Sequence, residues 1–324
     1  MTSVTQAAVE VRDLVKVYPH PGGGTLRALD GISFEVPTGE FFGFLGPNGA
    51  GKTTTLEIIE GTRKPTSGEV RVLGVDPRRD LDKVKRMIGV QLQAASYFSL
   101  LTITEILELF GSFYPKRRSP AELLDIVGLQ DKAKAYVRQL SGGQQRRFSV
   151  AAALVNDPDV IFLDEPTTGL DPQMRHSLWE LLRRLNTDEG KTIVLTTHYM
   201  EEAELLADRV AIIDHGVIRA IETPRDLIGR LDGFGHIEFA TPGAVETSEL
   251  SRLAGVSGAA ARSDGEVGSL TPVTYRLEIA EPKTAVTSLL NWSEGRGVEL
   301  RGLEVVPGTL EDVFLQLTGR ELRE

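Results

Sequence analysis

The 324-residue chain contains no cysteine, which excludes disulfides, thiol catalysis, iron–sulfur ligation and thiolate zinc sites together. Its five histidines, His20, His176, His198, His215 and His236, are too scattered for a pair at helical metal-ligand spacing. Long hydrophobic runs are missing as well. A membrane-crossing helix needs roughly 20 apolar residues, and the least charged long stretch, Gly89 to Thr104, is interrupted by Gln91, Gln93, Ser96 and Ser99. Met1 to Arg12 shows no basic start followed by an apolar run, so the expectation is a cytoplasmic protein without a secretory signal. Surplus basic charge is also absent: Asp and Glu total 46 against 36 Lys and Arg, a formal net charge of -10. That balance gives no broad electrostatic reason to bind nucleic acid or anionic lipid. Lys116-Arg117-Arg118 and Lys83-Val84-Lys85-Arg86 are short and read as solvated faces.

What remains is the composition of an ordinary globular protein, 41% hydrophobic and 25% charged, long enough for two domains of about 100–200 residues. Val160-Ile161-Phe162-Leu163, Thr192-Ile193-Val194-Leu195 and Val210-Ala211-Ile212-Ile213 are short apolar runs of the kind buried on both faces of a parallel sheet. Helical patterns over Ser177–Leu185 and Met200–Ala207 separate them, giving a β-α-β order and an α/β class. Leu26 to Gly46 alternates and is broken by Pro37-Thr38-Gly39, which predicts a hairpin-rich antiparallel portion. Leu100 to Leu140 reads as helical, with Ser119, Pro120 and Glu122 forming a capping-box start and Gly128 a stop. After Leu231 the linker-like Asp232-Gly233-Phe234-Gly235 opens a stretch with strand-like pieces at His236–Phe239 and Thr274–Ile279. A final helix from Thr309 aligns Leu310, Val313, Phe314 and Leu317, so a small α/β domain is expected at the C-terminus.

The chemistry concentrates in three places. Gly46-Pro47-Asn48-Gly49-Ala50-Gly51-Lys52-Thr53 fits G-x-x-x-x-G-K-[ST] between the apolar Phe41–Leu45 and a helical run to Glu60. Glycines there let backbone amides wrap phosphates at a helix N-terminus. Lys52 is placed to reach the β- and γ-phosphates, and Thr53 to put its hydroxyl on Mg²⁺. Val160–Leu163 then runs into Asp164 and Glu165. Taken alone, two carboxylates at a strand end could be turn formers. Beside a phosphate loop, Asp164 suits the metal and Glu165 the attacking water, as general base. Third, Leu140-Ser141-Gly142-Gly143-Gln144-Gln145 precedes a helical run, so its amides form a second anion site at a helix start, though Ser-Gly-Gly also makes a plain cap and turn.

The LSGGQ sequence between a phosphate loop and an Asp-Glu strand resembles the ATP-binding cassette (ABC) ATPases, over roughly Val9 to Leu231. The resemblance implies an α/β P-loop NTPase cassette over residues 1–230, with an N-terminal antiparallel β portion and an inserted helical subdomain at about 95–145. A small C-terminal α/β accessory domain would occupy 231–324. It implies ATP and Mg²⁺ as ligands, with nucleotide contacts from Gly46 through Thr54 (Pro47, Asn48, Gly49, Ala50, Gly51, Lys52 and Thr53 between them). Further contacts would come from Ser141, Gly142, Gly143 and Gln144, facing the γ-phosphate of the other subunit of a two-fold homodimer or heterodimer. Gln93 is similar to the glutamine that touches Mg²⁺ and the water, with Gln91 the other candidate in that run. His198 is similar to the switch histidine on the γ-phosphate and Asp171 to the residue that communicates across the dimer, where an Asp-Pro turn is the plainer reading. Tyr18 is similar to the aromatic that stacks on adenine, which accepts any base face; a core aromatic is its alternative.

As implied function, the chain is the ATP-hydrolysing subunit of an ABC transporter at the cytoplasmic face of the membrane, partnered by a separate transmembrane permease and binding no nucleic acid. The tail Leu310-Glu311-Asp312-Val313-Phe314-Leu315, then Leu317-Thr318-Gly319-Arg320, resembles that of daunorubicin-resistance-type drug-export ATPases. The alternative is a non-transport ABC ATPase acting on ribosomes or DNA; translation-type members carry two cassettes and DNA-repair members a long inserted coiled coil, neither of which the chain has. No N-K-x-D base-reading segment of a GTPase is found.

Overall fold

The apolar runs form the centre of a sheet. The computed structural model describes residues 7–19, 23–91, 97–230, 235–261 and 272–319, and the chain divides into two units between Pro224 and Arg225. The first unit begins with β1 (Ala7–Pro19), β2 (Thr25–Pro37), β3 (Phe41–Leu45), α1 (Lys52–Ile59), β4 (Ser67–Val72), α2 (Leu81–Met87) and β5 (Ile88–Gln91). Helices α3 (Ile103–Gly111), α4 (Pro120–Ile126) and α5 (Gly142–Ala153) follow. It continues with β6 (Val160–Asp164), α6 (Pro172–Thr187), β7 (Thr192–Thr197), α7 (Met200–Leu206), β8 (Arg209–Asp214) and β9 (Val217–Glu222), and α8 (Pro224–Gly229) starts at the division.

The main sheet has the order β5-β6-β7-β3-β8-β9. All its pairings are parallel except β8 with β9. β3 and β6 are buried at every position, which is why they carry no polar alternation before Asp164. A second, antiparallel sheet has the order β2-β1-β4. Its Val9, Val11, Leu14, Phe34 and Val36 share a core with Phe42 and Phe44 of β3 and with Leu56 and Ile59 of α1. The Phe34 ring stacks on Phe42 at 5.7 Å and meets Phe44 edge-on at 5.1 Å. One expectation changes here. Pro37-Thr38-Gly39 closes no hairpin; it passes the chain from the antiparallel sheet into the parallel one, and the hairpin is instead β1 with β2. The apolar Phe41–Leu45 has to be covered on both faces, and only the centre of the large sheet offers that.

Register sets the site. Thr196 pairs with Phe44 on one side and with Asp164 on the other. The carboxyl ends of β3, β7 and β6 therefore finish level, and the loops leaving them share one edge of the sheet, where α/β proteins bind ligands.

The helical stretch begins as its sequence suggests. Thr102 and Glu105 form a capping box on α3, and Ser119 accepts from the Glu122 amide with Pro120 in the first turn of α4. Glu122 itself points to Arg118, 3.7 Å away. Lys83, Lys85 and Arg86 lie on an exposed side of α2, and Lys116 and Arg117 are exposed too, but Arg118 is not part of a solvated face. Arg118 is only 11% exposed and binds Asp157 at 2.8 Å, together with Glu189, while Lys116 and Lys191 reach Asp157 at 2.5 and 2.7 Å. The cluster ties the approach to α4 to the loops after α5 and α6.

The second unit contains β10 (Gly235–Thr241), α9 (Thr247–Leu250), β11 (Val256–Ala261), β12 (Val273–Ile279), α10 (Pro282–Arg296), β13 (Arg301–Pro307) and α11 (Leu310–Thr318). Its sheet, β11-β12-β10-β13, is antiparallel. Ile237, Phe239, Tyr275, Leu277 and Ile279 pack with Ala285 and Leu289 of α10. The two strand-like pieces lie in β10 and β12, and β11, β13 and α10 complete the unit without such a pattern in the sequence. Of the expected linker, residues 232–234 lie outside the described residues. α11 starts on a Thr309–Asp312 capping box and buries Leu310, Val313 and Phe314, leaving Leu317 41% exposed.

Burial pushes the Asp157 carboxyl up, but hydrogen bonds from Lys116, Lys191 and Arg118 outweigh it and hold it well below the usual carboxylate range. A carboxyl that ionises more readily folded than unfolded stabilises fully above about pH 4 and loses that contribution as the pH falls further. Asp157→Asn is expected to cost about 1–3 kcal/mol in urea unfolding at pH 7, and clearly less at pH 3. An equal cost at both pH values would show that the charge is not the cause.

Candidate nucleotide site

The segment from Gly46 to Gly51 leaves β3 and folds back over the start of α1. A side chain at Gly46 would put its Cβ 2.2 Å from the Ile213 carbonyl, and one at Gly51, where φ is +110°, would sit 2.7 Å from Leu29 Cδ2. No side chain caps α1 and its first turn carries no acid, so its amides face the loop uncompensated. Lys52 is 4% exposed. Its Nζ donates to the carbonyls of Gly46 at 2.6 Å and Pro47 at 3.2 Å and lies 3.5 Å from Glu165 Oε1. Burial lowers the ammonium's pKa, while Glu165 and Asp164 work against that.

The acidic side comes from β6. Asp164 accepts the Thr53 hydroxyl at 3.2 and 3.1 Å and the Thr196 hydroxyl at 2.5 Å. A hydroxyl beside a carboxylate is a hard oxygen donor set, which fits Mg²⁺ held by one carboxylate plus phosphates. Among the described residues no group of three or more His, Asp or Glu could hold a metal alone. Glu165 has φ +46°, the left-handed region. Its amide donates to Thr196 Oγ1 at 3.0 Å, its Oε2 accepts from Thr168 at 3.2 Å, and His198 Nδ1 lies 3.4 Å from the same oxygen. The His198 contact is the main reason its carboxyl is pulled down to about 2, with Lys52 and Thr168 adding to it against burial. A cavity of about 440 Å³ is lined by Tyr18, Leu26, Ala28, Pro47, Asn48, Gly49, Gly51, Lys52, Thr53, Thr54 and Glu165.

The ABC transporter family model matches residues 29–168. The daunorubicin/doxorubicin resistance ATP-binding protein DrrA of Streptomyces peucetius is 38% identical over 98% of this chain and 94% of its own length. The linearmycin resistance ATP-binding protein LnrL of Bacillus subtilis (strain 168) is 38% identical over 93% of this chain and 96% of its own. Among solved structures, the ATP-binding cassette MJ0796, a dimer in a post-hydrolysis state bound to ADP and Pi, superposes with a TM-score of 0.61 at 33% identity. That match covers 66% of this chain and 98% of the other.

The chain belongs to the ABC transporter family. It is an ATP-binding subunit of that family and an ATPase.

The other residues expected in the ABC site fall in three groups. Tyr18 reaches the cavity, its half-buried ring flanked by Lys16 at 4.9 Å and Arg63 at 5.3 Å. Ser141, Gly142, Gly143 and Gln144 stand at the start of α5 and do not line that cavity. Ser141 and Gln144 cap the helix reciprocally, with the Ser141 amide donating to Gln144 Oε1 at 3.0 Å and the Gln144 amide to Ser141 Oγ at 3.3 Å. Asp171 is the N-cap of α6, accepting from the Met174 amide at 2.9 Å. Gln93 lies outside the described residues. Gln91, at the end of β5, lines a separate cavity of about 500 Å³ with Glu60 and Tyr97 rather than the nucleotide cavity.

Sequence reasoning missed three contributors. Thr196 holds both Asp164 and the Glu165 amide, and its signal was the polar residue ending an apolar strand. Arg146 donates to the Glu165 carbonyl at 3.2 Å. Glu202, fully buried, accepts from Trp179 Nε1 at 3.0 Å behind the His198 segment. Neither of the last two had a local sequence signal.

Gly46→Ala is expected to weaken ATP binding by at least about tenfold, roughly 1.4 kcal/mol, because a backbone carbonyl occupies the space a Cβ needs. Gly49→Ala, where φ is +82° but nothing lies within 4 Å, is expected to lose less. Titrating both variants with a fluorescent ATP analogue separates them, and equal losses would count against close approach as the cause.

Proposed function

We propose that this ABC ATPase works as a two-fold pair of ATPase chains at the cytoplasmic face of the membrane and powers a separate permease that exports a drug-type or lipophilic compound. The observation that carries the catalytic part is the meeting of Lys52, Asp164, Glu165 and His198 at one sheet edge. The relatives named for daunorubicin/doxorubicin and linearmycin resistance support the export part. Among the described residues no helix is long and apolar enough to cross a membrane; in this reading the path belongs to another chain.

In the proposed mechanism Lys52 exchanges Glu165 for the β- and γ-phosphates of ATP, and the uncapped amides of α1 complete the cradle. Thr53 and Asp164, with Gln93, would hold Mg²⁺, which supplies charge neutralisation on the phosphates. Freed of Lys52, Glu165 takes the proton of the attacking water as general base. His198 orients the Glu165 carboxylate and reaches toward the γ-phosphate, and Tyr18 stacks on the base. Ser141, Gly142, Gly143 and Gln144 serve the nucleotide bound by the partner chain. Contacts made by both chains exist only when the pair is closed, so ATP favours closure and loss of the γ-phosphate favours reopening. Asp171 communicates across the pair, and the Gln93 region and the helical segment relay the motion to the permease. The unit beyond Arg225 is an accessory domain.

Glu165→Gln is expected to keep ATP affinity, accumulate as a dimer in ATP, and lose turnover by on the order of 10²-fold or more; normal turnover would reject Glu165 as the base. For the transport reading, purification of the tagged chain from native membranes is expected to bring down a protein with several membrane spans in stoichiometric amount. Recovery only with ribosomes or DNA would overturn it.

A further inference from the structure

α5 does two things along one turn of helix. Its first residues present the signature, and Arg146, one turn on and half-buried, donates from Nη2 to the backbone carbonyl of Glu165 at 3.2 Å. Glu165 is held at φ +46°, a conformation unfavourable for a residue with a Cβ that persists only where the surroundings impose it. On its amino side β7 imposes it, the amide donating to Thr196 O at 3.2 Å and Oγ1 at 3.0 Å. On its carbonyl side two donors meet it, the Thr168 amide of its own loop at 3.3 Å and Arg146 from α5. The same helix is seated on α6: a Cβ at Gly143 would lie 2.2 Å from Met174 Sδ, and Arg147 hydrogen-bonds Ser177. Arg146 is thus the contact through which the position of α5 is felt at the Glu165 peptide.

We propose that Arg146 is a positioning residue for Glu165, sharing its carbonyl with the Thr168 amide and so linking the helix that presents the signature to the peptide of its own chain's catalytic carboxylate. This rests on the reading of Glu165 as general base. In a two-fold pair each signature serves the partner's nucleotide, and Arg146 thereby connects the occupancy of one site to the base of the other.

The test uses the full-length chain with Arg146→Met, which keeps the packing of the stem but removes the donors, and Arg146→Lys, which keeps a charged donor. Steady-state turnover, ATP Kd and Tm are measured for each, and for Arg146→Met combined with Glu165→Gln. Arg146→Met is expected to lower kcat by about tenfold or more with Kd within about twofold, and Arg146→Lys to recover at least half of the loss. Added to Glu165→Gln, Arg146→Met should cost less than about twofold further, because residues that act as one are not additive. Unchanged kcat in Arg146→Met, parallel losses in kcat and ATP affinity, or a full further tenfold in the double variant would overturn the proposal. Normal turnover in Glu165→Gln would bring down the reading of Glu165, whereas loss there with none in Arg146→Met brings down this inference alone.

Discussion

A buried ammonium must be compensated by oxygen atoms, and much of this site follows from giving Lys52 its partners. The carbonyls of Gly46 and Pro47 reach it only if the loop between β3 and α1 folds back on itself. That fold requires the absence of a side chain at Gly46, against Ile213 of β8, and at Gly51, against Ala28 and Leu29 of β2. The loop is thus bounded by both sheets of the first unit. Gly216 closes the joint, donating its amide to the Ala50 carbonyl and accepting that of Asp30, both at 2.9 Å. Sheet packing and phosphate geometry are one constraint here, which explains why the antiparallel sheet, remote from the carboxylates, still shapes the cavity.

The third partner of Lys52 has the opposite difficulty. Glu165 is surrounded by groups that favour its charged form, and its carboxyl near 2 makes it a poor proton acceptor. In the proposed cycle the phosphates of ATP draw Lys52 away, and one of the cationic influences on Glu165 goes with it. Burial, which already opposes the shift, then acts with less resistance, while His198, the largest of the lowering influences, stays in place.

The parts legible in the sequence are those whose chemistry is local. The phosphate loop, the Asp164-Glu165 pair and the caps at Thr309 and Ser119 each depend on residues within a few positions, so spacing suffices to find them. The parallel strands were legible because burial on both faces leaves no polar alternation. Illegible parts depend on segments far apart in the chain. Arg118 looks like surface charge beside Lys116 and Arg117 until Asp157 and Glu189 are brought to it. Pro37-Thr38-Gly39 has the composition of a hairpin turn, and only the burial demanded by Phe41–Leu45 decides that it changes sheets. In the second unit, β13 is almost wholly exposed and so carries little of the pattern that marks a buried strand.

Glu202 shows how far behind the reacting atoms such long-range placement extends. A fully buried carboxyl is costly, and burial raises its pKa, with Thr197, Trp179 and Thr167 acting against that. These three neighbours come from the strand that ends beside His198, from α6, whose first turn Asp171 caps, and from the loop just after Glu165. A hydrophobic side chain at that position could fill the space but could not accept the Trp179 N–H, which would then be buried without a partner. The acid therefore fixes α6 against the His198 segment by direction as well as by volume. Asp171, held at the helix start through one carboxylate oxygen, inherits its position from that join.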